Sequence, residues 1–221
     1  ELETERAASL AARTLLLRQH TERLAEPEIR LEGDSALVPR LEGVAASALK
    51  APHLRRSRGH GATHLITGGT GGLGLITAEW LARFGVGSVV LASRGGKVSG
   101  PNIARHLRGT QSTISAARCD TAEAVELRCV LDSVRVAGGN RVLRGVWHAA
   151  GVLSDGLLTS QSTTSIRRVY APKAHGAWLL QNACNVTPLE TCVYFSSLAA
   201  MLGGAGQTNY SAAHTVLDSL G

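Results

Sequence analysis

Three side chains have the types and order needed to reduce a carbonyl. Ser197 closes an apolar run, Tyr210 follows thirteen residues later at the start of a helical segment, and Lys173 stands on the preceding helical stretch. A carbonyl that accepts hydride becomes an alkoxide, so a proton must be delivered and the oxygen held while charge develops. A phenol can deliver that proton. Its ordinary pKa is about 10, and a neighbouring ammonium such as Lys173 draws it down by stabilising the phenolate. Ser197 would hold the oxygen, and Gly203, Gly204 and Gly206 give the chain a loop that folds Tyr210 back towards it. Taken singly, each of the three is an ordinary polar residue; their order behind a nucleotide-binding turn carries the reading.

That turn lies in Thr63 to Gly74. Leu65 and Ile66 form the end of a short buried strand closing at Thr67, and five glycines follow within the seven residues Gly68 to Gly74. Thr67, Gly68, Gly69, Thr70, Gly71, Gly72, Leu73 and Gly74 spell T-G-x-x-x-G-x-G between a strand and a helix. Glycines let the chain turn sharply and let a pyrophosphate approach bare backbone. The helix then offers unpaired N–H groups and the positive end of its dipole. A second strand, Val89 to Ala92, ends in Ser93-Arg94, with no Asp or Glu from Val86 through Gly100. An acid at that tip would bind a ribose 2′-hydroxyl; Arg94 without one suits a 2′-phosphate, so NADPH is expected rather than NADH. Asp120, after a third strand at Ser112 to Ala116, either meets the adenine or caps the helix expected over Thr121 to Val136. A fourth strand, Val142 to Trp147, closes at His148, Ala149, Ala150 and Gly151, where small residues would let backbone lie against the cofactor.

The chain has 221 residues, 44% of them apolar, and a net charge of +6. That suits a globular protein with a sizeable core, and no apolar run approaches the length of a spanning helix. Aromatic residues are only 4% and the basic residues are scattered apart from Arg55, Arg56 and Arg58, which reads as a solvated basic linker and not a nucleic-acid site. Cys119, Cys129, Cys184 and Cys192 lack metal-ligand spacing and clustered histidines, so no metal is expected and free thiols in a reducing cytoplasm are. The chain opens on Glu1 and not on Met, and no charged segment leading into an apolar core stands there to be read as a signal peptide, so a missing start or a piece of something longer is expected.

Residues 1 to 25 carry leucines at helical spacing, and Glu28 to Arg40 read as two short strands around a Gly-Asp-Ser turn. We expect a structural segment over 1–42, a linker over 43–60 and a nucleotide-binding unit over 61–221. In that unit a helix over Gly72 to Phe84 is expected to bury Leu73, Ile76, Trp80, Leu81 and Phe84. A long helix over Thr163 to Cys184 is interrupted at Pro172, a fifth strand covers Thr191 to Phe195, and a last helix covers Asn209 to Leu220. Repeated alternation of strand and helix implies an α/β fold with a doubly wound parallel sheet, its ligand beyond the carboxyl ends of the strands.

HLITGGTGGLG, VVLASRGG, WHAAGVLSDGLL, APKAHGAWLL and FSSLAAMLGGAGQTNYSAAHTVLDSL resemble the ketoreductase domain of type I polyketide synthases, in the short-chain dehydrogenase/reductase superfamily. EIRLEGDSALVPRL resembles the end of that family's cofactor-free structural subdomain. The resemblance implies reduction by NADPH of a β-ketoacyl thioester on an acyl carrier protein, with neighbouring synthase domains as partners. It matches Lys173, Ser197 and Tyr210 to the catalytic lysine, serine and tyrosine, the lysine lying in a K-x-x-G segment. Gly68, Gly72 and Gly74 match the cofactor loop and Arg94 the 2′-phosphate arginine. The family's fourth catalytic position, four after the tyrosine, is usually Asn and here is His214, which shares a helix face with Tyr210. A catalytically inactive domain is the alternative that this departure raises. The chain also reads as a fragment, since the family's later strands and lid and the first half of its structural subdomain have no counterpart in it. A free-standing dehydrogenase fits less well, because no Lys follows Tyr210 by four. Leu153-Ser154-Asp155, with Leu202 in place of a Trp eight before Tyr210, resembles the type that makes D (3R) hydroxyls. Asp155, Leu202 and Gln207 are therefore the expected substrate-orienting positions.

Overall fold

Apolar runs too short for helices and bounded by glycine turns become buried parallel strands. The computed structural model describes residues 30–32, 35–37, 62–97, 111–136, 142–185 and 187–221. The helix expected within 1–25, the linker at 43–60 and the Gly33-Asp34 part of the turn lie outside the described residues. Two compact units divide the chain, Glu1–His53 and Leu54–Gly221. In the first, β1 (Arg30–Glu32) and β2 (Ser35–Leu37) pair antiparallel, with Leu31 opposite Ala36.

The second unit runs β3 (Ala62–Thr67), α1 (Gly72–Arg83), β4 (Ser88–Ser93), β5 (Thr113–Arg118), α2 (Ala124–Val136), β6 (Val142–His148), α3 (Thr163–Tyr170), α4 (Gly176–Cys184), β7 (Thr191–Tyr194), α5 (Ala199–Leu202) and α6 (Thr208–Leu220). Strands β3 to β7 form one parallel sheet in the order β5-β4-β3-β6-β7. The chain steps outward from β3 to β4 and β5, then returns to the other side of β3. This is the doubly wound sheet expected, and its reversal leaves a crevice at the carboxyl ends of β3 and β6.

Alternating side chains feed two cores. Leu65, Ala92, Leu143 and Val146 meet Leu127 and Leu131 of α2 and Leu180 of α4 on one face. Ile66, Val89, Leu91 and Trp147 meet Ala78 and Leu81 of α1 on the other. Leu143 and Val146 share a face because β6 carries an extra residue: Thr63 pairs with Leu143 but His64 with Gly145. The imidazole of buried His64 then lies over Gly145, where a Cβ would strike the ring, and its Nδ1 accepts from Trp147 Nε1 at 3.0 Å.

Three expectations are corrected. In α1 the buried residues are Gly74, Thr77, Ala78, Leu81 and Ala82, while Leu73 and Ile76 are each 59% exposed and Phe84 is 43% exposed. Small residues face the sheet because α1 lies close on it; only Leu81 of the expected stripe is fully buried, and Trp80 packs edge-on to Trp147. Pro172 does not interrupt the long helix either. A π turn at Ala171–His175 carries it from α3 into α4, the Gly176 N–H reaching back to the Ala171 carbonyl. The helix expected from Thr121 begins at Ala124.

A Cβ at Gly74 would lie 2.6 Å from the Gly68 oxygen and 2.6 Å from Gly69 Cα, whereas one at Gly72 meets nothing within 4 Å. Gly74→Ala is expected to lower stability by about 1–3 kcal/mol in chemical denaturation, as overpacking does. Gly72→Ala should change it by less than about 1 kcal/mol.

Candidate active site

The glycine turn is shaped by a contact between backbones. Gly68 has φ +65, and a Cβ on it would sit 2.7 Å from the Ala149 carbonyl and the Ala150 nitrogen. Ala149 N–H donates to the Thr67 carbonyl at 3.1 Å and Gly69 N–H to that of Ala92 at 3.1 Å, so the turn is tied to the ends of β6 and β4. Over it opens a cleft of about 340 Å³. Its walls are Gly68, Thr70 and Gly71, then Ser93, Arg94 and Gly95 past β4, Cys119, Asp120 and Thr121 past β5, and Ala149 to Val152 past β6, with Pro172 from the π turn.

Of the cofactor residues expected, Gly68, Thr70, Gly71, Ser93, Arg94, Asp120, Ala149, Ala150 and Gly151 line this cleft. Gly72 and Leu73 are exposed on the first turn of α1. Gly69 and Gly74 are buried where a Cβ would strike backbone, which makes them packing positions. Thr67 and His148 are fully buried and do not line the cleft. Asp120 does not cap the start of α2: its Oδ1 accepts from Ala122 N–H at 3.0 Å and closes a local turn at the cleft wall. Gly95, Cys119, Thr121, Val152 and Pro172 also line the cleft and were not among the cofactor residues expected. The first four adjoin strand-end residues that were; Pro172 comes to the cleft only through the fold.

Lys173, Ser197, Tyr210 and His214 do not line this cleft, but Lys173 lies against Gly151 of its wall. Lys173 is 5% exposed, and a Cβ at Gly151 would come 2.7 Å from its Cε and 3.2 Å from its Nζ. Burial lowers its pKa to about 8. On α6, the rings of Tyr210 and His214 stand 4.3 Å apart. His214 is 1% exposed, and neither ring nitrogen has a hydrogen-bond partner. Burial lowers its pKa to about 4, the Lys173 charge pushes the same way, and Asp218 opposes. It is therefore neutral at pH 7 and does not repel the Lys173 ammonium. Ser197 lies just past β7, where its Oγ accepts from Ala199 N–H at 3.2 Å; next to it, Ser196 Oγ donates to the His214 carbonyl at 3.4 Å.

The loops after β6 and before α6 are laced together. Gln207 Nε2 donates to Asp155 at 3.2 Å, and Gly156 N–H to the Gly206 carbonyl at 2.9 Å. Buried Asn209 donates to the Ser154 carbonyl at 2.8 Å and to Gln161 Oε1 at 3.1 Å, while its own Oδ1 accepts from Tyr210 N–H at 2.7 Å. Asn209 was missed, though it directly precedes the tyrosine. Leu202 is exposed at the end of α5.

The KR domain family matches residues 62–221. The chain belongs to that family. It is 37% identical over 193 residues to a phenolphthiocerol/phthiocerol polyketide synthase from Mycobacterium tuberculosis, an alignment covering 87% of this chain and 10% of the relative. With pikromycin polyketide synthase component PikAII of Streptomyces venezuelae it shares 40% over 164 residues, 72% of this chain and 4% of the relative. Among solved structures, the first ketoreductase of the tylosin PKS superposes with TM-score 0.73 at 30% identity, over 88% of this chain and 41% of that one. A ketoreductase domain from the bacillaene assembly line gives 0.77 at 26%, over 93% and 48%. The fold and the polyketide synthase ketoreductase kinship expected from the motifs both hold, and with them the short-chain dehydrogenase/reductase type. Among the described residues no helix is long and apolar enough to cross a membrane, and no group of His, Cys, Asp or Glu could hold a metal ion.

Burial holds His64, His148 and His214 each near a pKa of about 4. An unfolded histidine titrates near 6.5. Between those values the unfolded chain binds protons that the folded one does not, so stability falls as pH drops through that window. Urea midpoints should decline as pH falls from about 6.5 towards 4; His214→Asn should make that decline shallower.

Proposed function

We propose that the chain reduces the β-keto group of an acyl thioester, carried on an acyl carrier protein, to the β-hydroxyl with NADPH. The observation that carries the reading is the placement of Lys173 against Gly151 at the cleft border, its charge acting on His214, whose ring meets Tyr210. The cleft fits the cofactor. Gly68, Gly71 and the Ala149–Gly151 backbone leave bare surface for a pyrophosphate, the α1 N-terminus favours its charge, and Arg94 faces where a 2′-phosphate would lie. NADPH supplies the hydride.

The chain's own residues manage the oxygen and the proton. Ser197 Oγ holds the carbonyl oxygen as charge grows on it, and the Tyr210 hydroxyl donates the proton. Lys173, still mostly protonated at pH 7, stabilises the phenolate left behind. Neutral His214 has free ring nitrogens through which a proton can be returned. Asp155 and Gln207, paired across the two loops, and Leu202 orient the acyl chain for a D (3R) product. Residues 1–42 belong to a structural subdomain, 43–60 are a linker and 61–221 are the cofactor-binding part. Neighbouring synthase domains in one polypeptide are the remaining partners, as the short spans matched within long relatives suggest. A reducing cytoplasm suits the four free cysteines.

A second reading, an inactive domain, is favoured by one observation: His214 stands where the family usually has Asn, with both nitrogens unpartnered. Turnover of a β-ketoacyl thioester surrogate by the full-length protein separates the two. Tyr210→Phe should cut kcat by about a hundredfold or more with NADPH affinity kept; unchanged turnover removes Tyr210 from the chemistry. His214→Asn should leave kcat within about tenfold of the parent. A rise from no activity to measurable reduction would establish the inactive reading instead.

A further inference from the structure

Lys173 lies within a turn whose carbonyls are also bonded from outside its own helix. Pro172 lacks an N–H and crowds the preceding turn. The helix answers with the π turn Ala171–His175, and two of the turn's carbonyls accept from side chains on other elements. Thr121 Oγ1 donates to the Pro172 carbonyl at 3.0 Å, and His148 Nε2 pairs with the Lys173 carbonyl at 2.9 Å.

The His148 bond fixes a tautomer. A carbonyl only accepts, so Nε2 carries the hydrogen; the ring is neutral, so Nδ1 is an acceptor, and it takes the Thr67 hydroxyl at 2.7 Å. The ring is 0% exposed, and both nitrogens are used. An unbroken link therefore runs from the last residue of β3, through β6, to the backbone of the lysine. The ammonium itself has little to grip it. Gly151 beside it has no side chain, its pKa is lowered by burial alone, and the titratable groups acting with it are neutral His148 from β6 and neutral His214 from α6.

We infer that His148 is a positioning residue for Lys173, its hydrogen bond to the Lys173 carbonyl setting where the ammonium meets the active site. The inference rests on the reading of Lys173 as the tyrosine's partner and adds what holds it there. A merely structural histidine would affect stability without touching the lysine's chemistry.

Competitive acetylation of the full-length protein with acetic anhydride, followed by peptide mass spectrometry across pH, reads the titration of Lys173 without requiring activity. His148→Phe keeps the ring shape and removes both hydrogen bonds. It should raise the half-titration of Lys173 by about one unit, a tenfold change in its ionisation constant, with other lysines unmoved. His148→Gln, whose amide can still donate to the carbonyl, should restore most of the parent value. Thr67→Val should give a smaller shift in the same direction. A Lys173 curve identical to the parent in His148→Phe overturns the inference; should that variant not fold, an unmoved curve in Thr67→Val does so. Turnover separates this from the functional reading. If the parent reduces the surrogate, kcat in His148→Phe should fall at least about tenfold with KM within about twofold. A parent without reductase activity whose Lys173 still responds to His148 would sink the reductase reading and keep the clamp. An active parent with unmoved Lys173 would do the reverse.

Discussion

Two stretches of backbone touch where the glycine turn crosses the end of β6, and the rest of the site follows from how close they come. The contact exists because β3 and β6 pair in parallel with Thr67 opposite His148, which lays Gly68 on Ala149. That register in turn depends on the extra residue lower in β6. Without it every side chain beyond would change faces, and Val146 and Trp147 would exchange cores. His64 above Gly145 marks the place where the two strands accommodate the irregularity.

The electrostatics of the site are those of burial more than of pairing. Three histidines are held neutral, and a lysine is brought low enough to respond to its surroundings yet high enough to stay charged. Neutral imidazoles on both sides of an ammonium let it remain a cation in a desolvated place.

Much of this was legible in the sequence. Strand–glycine–helix order, the small residues after β6 and the basic tip of β4 gave the sheet and most of the cleft, because each is a local pattern with a local cause. Failures came where the cause was not local. The apolar stripe of α1 follows helical spacing, but Ala78 and Thr77 were chosen for the sheet by their size, which a hydrophobicity count overlooks. Pro172 reads as a break until Thr121 and His148, from two distant strand ends, are seen to take up the carbonyls around it. His148 reads as one of several small-turn residues at the cofactor, yet its ring points into the protein and bonds at both ends. Asn209 lies beside the tyrosine in the chain, but the two hydrogen bonds it donates lace two loops whose meeting no single segment encodes.

The segment from Thr163 to Cys184 has to satisfy two neighbours at once: α3 packs on α6, whereas Leu180 and Cys184 of α4 join the core under α2. Each residue advances an α-helix by about 100°, so the wider winding at Ala171–His175 resets the phase between these two seats. A loop could lose or gain a residue and relax. Val169 is the buried residue of α3, and a change of one in length would swing either it or Leu180 out of place, so this stretch tolerates substitution at its surface but not insertion or deletion within it.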